Sequence, residues 1–438
     1  MSGDALRAQL VRGGVGSVAI KVANLFLMLG TTVVIARVLG PSGYGVYAYV
    51  LAIASLLAIP VQFGFPTLVV RETAKFQARQ DWSRLRGVWI WSSVTVAISS
   101  LVITALLFAT KGLWGLLFSP QESGTFAWAL ILVPILALGM LRGAALRGLR
   151  HTVQGQLPEF VAVPGLLLSF IVAIMLLWTH KISPQMVMIL HVSAATCAFM
   201  LGIWLLARYT PLSVRVKPKA VFEHRLWMAA ILPLALLSGL QVINKNTDLV
   251  MLGLLSSSDD VGVYKASAQA GTLASFGLGA ANLVVAPYFS RLYNAGDLKS
   301  LQYVITLSAR VTLAFAVPVV LAFFVLGPWL LKLLFGPAFV QGYPVLIVLS
   351  AGQLINAAFG SVGLLLNMTG HERDTLKGFA AGATTNVILN VIFIPKFGPI
   401  GAASATAIGM VVWNIVLWRL VHQRLGFESS AFRKLTQA

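Results

Sequence analysis

Apolar runs long enough to cross a bilayer recur along almost the whole chain, separated by short polar breaks. A hydrocarbon core of about 30 Å needs about 20 helical residues, and helix is the one open structure that satisfies its own backbone in lipid. Runs of that length fall near residues 14–36, 44–65, 88–110, 125–147, 156–178, 185–207, 226–255, 263–289, 302–326, 343–367, 376–394 and 400–421. The pattern predicts an all-α, polytopic membrane protein of about twelve transmembrane helices. The first run follows Arg7 and Arg12, exceeds the apolar region of a signal peptide and has no clear small-residue cleavage site, so a retained helix is expected.

The longest internal polar stretch, Arg208 to Arg225 with Pro211 and Pro218, divides the chain into an N-terminal six-helix bundle (1–207), a cytoplasmic linker (208–225) and a C-terminal six-helix bundle (226–438). Halves of equal size suggest the internal repeat common in transporters, where substrate binds near the midplane. Setting Gly45-Val46-Tyr47 over Gly262-Val263-Tyr264, an offset of 217, also aligns Val33 with Val250 and Leu56 with Leu273.

Composition supports the membrane reading. The 438 residues are 58% hydrophobic and 10% charged, against roughly 25% charged in soluble chains, which excludes an ordinary soluble enzyme. The net charge of +19 would point to nucleic acid in a soluble protein. Here its placement gives orientation, since cytoplasmic loops carry the excess of Lys and Arg. With the N-terminus inside, the inner segments hold 23 of the 32 basic residues, and the outer loops only Arg37, Lys111, Lys181, Lys332 and Lys396. A multi-pass protein of the cytoplasmic membrane with both termini cytoplasmic is expected, and no nucleic-acid partner. The single cysteine, Cys197, lies in an apolar run, the six histidines show no metal-ligand spacing, and no phosphate-binding GxxxxGK[ST] loop is present. Neither a metal nor a cofactor is expected.

Charges at lipid depth cost several kcal/mol and normally face a cavity or a partner. Lys21 lies two turns into the first span, with Asn24 on the same face, and Arg310 lies at similar depth in the ninth. Gln241, Asn244, Lys245 and Asp248 recur at i, i+3, i+4 and i+7, a polar stripe on an apolar helix. Lys265 with Gln269 makes a shorter stripe on the eighth span, and Gln353 with Asn356 another on the tenth. With Asp248 set apart, the other ten of these residues make the expected substrate lining, cations able to meet anionic groups and amides able to meet hydroxyls. Long stems could instead let Lys21 and Lys265 snorkel to an interface. Asp248 is the one acid well inside the bilayer, Glu159 standing at the mouth of the fifth span. It has two competing roles: neutralising Lys245, or serving as a proton- or sodium-coupling site. Arg71 and Glu72 form an expected interfacial charge pair that could meet a substrate headgroup.

Three stretches resemble a known family. "IARVLGPSGYGVYAY" (35–49) followed by "FGFPTLVVRETAKF" (63–76) is similar to the opening of polysaccharide flippases in the multidrug/oligosaccharidyl-lipid/polysaccharide exporter superfamily, and "NVILNVIFIPKFGPIGAASATAIGMVVWNIV" (386–416) resembles that family's penultimate hairpin. The resemblance implies a Wzx-type fold, two six-helix bundles in a V around a central cavity. It also implies the movement of undecaprenyl-diphosphate-linked oligosaccharide from the inner to the outer leaflet for surface polysaccharide assembly, with membrane lipid, glycosyltransferases and a polysaccharide polymerase as partners. Within this reading Gly40-Pro41-Ser42-Gly43 is a turn between spans, and Gly401 to Ala405 a small-residue packing face.

Other functions fit less well. An ion-coupled multidrug or organic-cation exporter of the same superfamily would favour acids in its cavity, whereas the spans hold four basic residues against two acids. A membrane-embedded glycosyltransferase or polymerase would want a sizeable loop with paired carboxylates, and the outer loops hold only Glu122, Asp259 and Asp260. The lipid II flippase branch usually has two additional helices. Transport without covalent chemistry is the expectation.

Overall fold

The computed structural model describes residues 3–116, 118–177, 181–216 and 219–432, and the elements within them are helical throughout. The first helix, α1 (Gly3–Gln62), and the last, α14 (Glu372–Leu425), hold 60 and 54 residues. At about 1.5 Å per residue either would be about three times the length of one crossing if straight. Each is broken by a glycine, Gly40 at φ 69° and ψ −179° and Gly398 at φ 52° and ψ −130°, conformations that cost a side-chain-bearing residue energy. Pro395 and Pro399 flank the second break. Both breaks fall where the apolar pattern separates paired spans.

Between them lie α2 (Phe65–Ala78), α3 (Trp82–Ala109), α4 (Pro120–Gly148), α5 (Thr152–Leu157), α6 (Val163–Leu177), α7 (Pro184–Tyr209), α8 (Leu212–Arg215), α9 (His224–Leu255), α10 (Ser258–Asn294), α11 (Leu298–Phe335), α12 (Tyr343–Phe359) and α13 (Val362–Met368). Nine helices among the described residues are long and apolar enough to cross a membrane, α1 and α14 being two-span helices among them. The chain is a multi-pass membrane protein. The fifth span comprises α5 and α6 joined by a π-turn over Pro158–Ala162. The tenth is broken between α12 and α13 at Gly360, at φ 73°.

Two compact units emerge. The first holds Met1–Leu39 and Val46–Val242, the second Gly40–Gly45 and Ile243–Ala438. The segment 208–225 lies with the first unit: Val221 donates its N–H to the Ser83 carbonyl at 3.2 Å, and Arg84 pairs with Glu223 at 2.7 Å. The opening turns of α9 join that unit because the α1–α2 turn is packed on them. A Cβ on Gly64 would lie 2.7 Å from the Ala235 nitrogen and 3.0 Å from the Ile231 oxygen. In the second unit, a buried cluster including Phe289, Leu301, Leu366 and Val421 joins α10, α11, α13 and α14.

Candidate functional site

Asp248, on α9 and 5% exposed, accepts four side-chain hydrogen bonds. Four neutral donors surround it. Oδ1 accepts from Nδ2 of Asn386 at 2.9 Å and of Asn390 at 2.8 Å. Oδ2 accepts from the Tyr264 hydroxyl at 2.7 Å and from the Thr406 hydroxyl. Three helices assemble the group: α9 supplies the carboxylate, α10 the phenol, and the two limbs of α14 the amides and the hydroxyl. The close approach of those limbs follows from small residues, since a Cβ on Gly409 would lie 3.1 Å from the Gly382 oxygen. Asn390 is fully buried, and its Oδ1 has no hydrogen-bond donor. A carboxylate beside an orphaned amide oxygen and a hydroxyl is an all-oxygen set suited to a small hard cation or to a proton on the carboxylate. Among the described residues no cluster of three His, Cys, Asp or Glu side chains forms.

The expected neutralisation of Lys245 by Asp248 is not formed. Lys245 is exposed and Asp248 buried, because positions three apart diverge by about 60° around a helix and α9 turns the acid inward. The predicted stripe therefore divides: Gln241 and Lys245 are exposed, Asn244 is half-buried, and Asp248 enters the unit's interior. Lys265, half-buried on α10, lies within electrostatic reach of Lys245, which brings those two cations into one neighbourhood. Gln269, one turn further, is also half-buried.

The remaining predicted residues fall into separate places. On α12, Asn356 donates to Gln353 Oε1 at 3.5 Å and accepts from Asn414 of α14 at 2.9 Å, so the predicted pair extends into an amide chain. Arg310 donates from Nε to the Ala431 carbonyl at 3.1 Å, binding the C-terminal segment after α14. Lys21 is exposed on α1. Asn24 donates to the Phe160 carbonyl at 2.6 Å. Glu159 is paired with Arg142 at 2.6 Å.

Tyr264, Asn386, Asn390, Thr406 and Asn414 escaped sequence reasoning. Neutral amides and hydroxyls do not stand out in apolar helix, although Asn386 and Asn390 at i, i+4 were a readable signal. The repeat gives a second comparison. Tyr47, the counterpart of Tyr264 at offset 217, bonds Nδ1 of buried His191 at 2.8 Å, so the same tyrosine meets a carboxylate in one unit and an imidazole in the other.

The family model for polysaccharide biosynthesis proteins matches residues 10–293. The chain belongs to that family. A probable low-salt glycan biosynthesis flippase of Haloferax volcanii is 24% identical over 186 residues, covering 42% of this chain and 39% of that one. The matched stretches span less than half the length of the curated relatives. Among solved structures, an inward-facing multidrug resistance MATE family transporter of the MOP superfamily aligns with a TM-score of 0.75 at 15% identity over 94% of this chain and 98% of that one. The lipid II flippase MurJ, in an inward closed conformation, aligns at 0.70 with 17% identity over 94% and 87%. The fold of this family member is therefore that of MOP-superfamily transporters.

Proposed function

We propose that the protein is a flippase. It carries a polyprenyl-diphosphate-linked oligosaccharide from the cytoplasmic to the outer leaflet of the cytoplasmic membrane, by alternating access and without covalent chemistry, for surface polysaccharide assembly. The observation that carries this reading is the family match over residues 10–293, with a glycan flippase among the relatives. The balance of charge at lipid depth supports it. Lys21, Lys245 and Lys265 suit a diphosphate, and Asn244, Gln269, Gln353 and Asn356 suit sugar hydroxyls. Both termini are cytoplasmic on this reading, glycosyltransferases supply the substrate and a polymerase consumes it.

Asp248 is the coupling residue of this proposal. Protonation or sodium binding would change the charge of a buried carboxylate held by donors from α10 and both limbs of α14, and so the energy with which α9 is tied to them. Such a group biases a two-state equilibrium by its differential interaction with the two states.

Deletion of the gene in its host, followed by mass analysis of accumulated lipid-linked intermediates, tests the function. A complete polyprenyl-diphosphate oligosaccharide retained on the inner leaflet is expected, cleared by the wild-type chain. Absence of any such intermediate, together with lowered accumulation of a fluorescent organic cation when the chain is expressed, would replace this reading with a cation exporter.

A further inference from the structure

The first unit contains a cavity of about 550 Å³ that the Asp248 group does not reach and that Gln241 of the predicted stripe helps to line, a volume in the range of small-ligand sites. Its lining combines two guanidinium groups, Arg71 and Arg147, two amides, Gln62 and Gln241, and apolar walls that include Phe63 and Met140. The α1–α2 turn shapes it. Phe63 and Gly64 both take positive φ, 34° and 75°, which reverses the chain against α9 and sets Arg71 two turns along α2. Arg147, in the last turn of α4, is held by its stem, since a Cβ on Gly155 would lie 3.0 Å from its Cγ.

The charges of this cavity are incompletely matched. Arg147 is half-buried, forms no ion pair among the described residues, and has a buried Nε with no hydrogen-bond acceptor. Glu159, whose field reaches it, is hydrogen-bonded by Arg142 at 2.6 Å. Arg71 contacts Glu72 at 3.0 Å, but Lys75 takes the other oxygen of that carboxylate at 3.1 Å. Two cations therefore share that carboxylate, and Arg147 has none of its own among the described residues. A buried guanidinium N–H without an acceptor is costly, and a planar N–H fork matches phosphate oxygens well. Free phosphate would not account for the apolar walls. A phosphate carried on a hydrocarbon chain accounts for both.

We infer that this cavity is a lateral docking site for the diphosphate head and first isoprenoid units of a polyprenyl-diphosphate lipid, captured from the leaflet before transport. The inference rests on the proposed function for the identity of the lipid, and on the positive-inside orientation, which puts the segments bearing Arg71 and Arg147 at cytoplasmic headgroup depth.

The test uses the full chain in neutral-lipid nanodiscs, titrated with farnesyl diphosphate by calorimetry. Inorganic pyrophosphate, farnesol and phosphatidylglycerol serve as comparison ligands. Arg147→Gln and Arg71→Gln are each expected to weaken farnesyl diphosphate binding by about tenfold or more, the loss of one charge-assisted hydrogen bond, with Arg147→Lys intermediate. Farnesol is expected not to bind, and pyrophosphate and phosphatidylglycerol at least about tenfold more weakly. Arg71 is half-exposed, so its variant keeps the test decisive should Arg147→Gln fail to fold. Unchanged affinity in folded variants overturns the site, and so does equal binding of farnesol. Equal binding of pyrophosphate or phosphatidylglycerol overturns the assignment to a polyprenyl diphosphate. Arg-dependent binding in a chain whose deletion accumulates no lipid-linked intermediate sinks the proposed function alone. Arg-independent binding in a chain that clears the intermediate sinks this site alone.

Discussion

Gly45 and Gly262 pack backbone to backbone. A Cβ on Gly262 would lie 3.0 Å from the Gly45 nitrogen and 2.0 Å from the Pro41 oxygen; one on Gly45 would lie 3.0 Å from the Gly262 nitrogen and 1.7 Å from the Ser258 oxygen. Pro41 and Ser258 are separated by the same 217 positions as the glycines, so the contact is reciprocal and the repeat offset read from Gly-Val-Tyr is realised as a physical crossing. Neither glycine tolerates a side chain, because the obstacle is backbone and cannot rotate away. Gly262→Ala should cost at least about 1–3 kcal/mol through overpacking. Gly279→Ala, on the same helix with nothing within 4 Å of the new Cβ, should be neutral or slightly stabilising. Thermal unfolding of the two purified variants is the check, and equal midpoints would refute the crossing.

Asp248 is tied to α10 and to both limbs of α14 by four hydrogen bonds. As the coupling residue, it should make transport depend on pH or sodium, and Asp248→Asn should erase that dependence. If sodium is the ion, it should also stabilise the wild-type chain by about 2.7 kcal/mol at a concentration a hundredfold above its Kd, and leave Asp248→Asn unmoved. Transport assayed across pH and sodium series decides the point. A dependence that survives the substitution unchanged removes Asp248 from coupling.

Asp297 caps α11, its carboxylate accepting the Ser300 N–H at 3.1 Å. Hydrogen bonding from Ser300 holds the Asp297 carboxyl below the usual carboxylate range. A lowered folded-state pKa contributes stability that is present above the ordinary value and lost as pH falls through the lowered one. Asp297→Asn keeps a capping oxygen without the titration. The variant should match the wild type near neutrality and lose less stability on acidification below pH ~4, as followed by melting temperature against pH. Parallel acid limbs would exclude the effect.

The paired spans at each end were legible because glycine and proline punctuate apolar runs where the chain must reverse, and Gly40 and Gly398 do so. Gln353 and Asn356 were legible as a face because their spacing alone fixes it. The surroundings of Asp248 were not. Spacing assigns Lys245 and Asp248 to adjoining faces of α9, but the rotation of a helix toward its neighbours is set by what those neighbours offer, and Asn386, Asn390 and Thr406 lie more than a hundred residues away. The role of Arg310 was hidden for a similar reason, since its partner carbonyl at Ala431 belongs to a segment beyond the last span. The helix α2 was hidden in a stretch that continues an apolar run directly.

Asn24 was expected to meet substrate, and its hydrogen bond to Phe160 supplies a different reason for an amide at that depth. Pro164 has no N–H, so the Phe160 carbonyl four residues earlier lacks the donor that an α-helix would provide. Asn24 Nδ2 reaches that carbonyl at 2.6 Å, and two turns further along α1 Thr31 donates to the Pro164 carbonyl at 3.1 Å. In lipid an unsatisfied carbonyl has no water to turn to. Asn24→Leu should therefore destabilise the chain by about 1–3 kcal/mol. Pro164→Ala restores a helical donor to Phe160, so the cost of Asn24→Leu should shrink in the Pro164→Ala background, a coupling of about 0.5 kcal/mol or more in a double-mutant cycle. Additive effects would show that the amide does not serve this carbonyl. Loss of transport without loss of stability in Asn24→Leu would return the residue to the substrate lining.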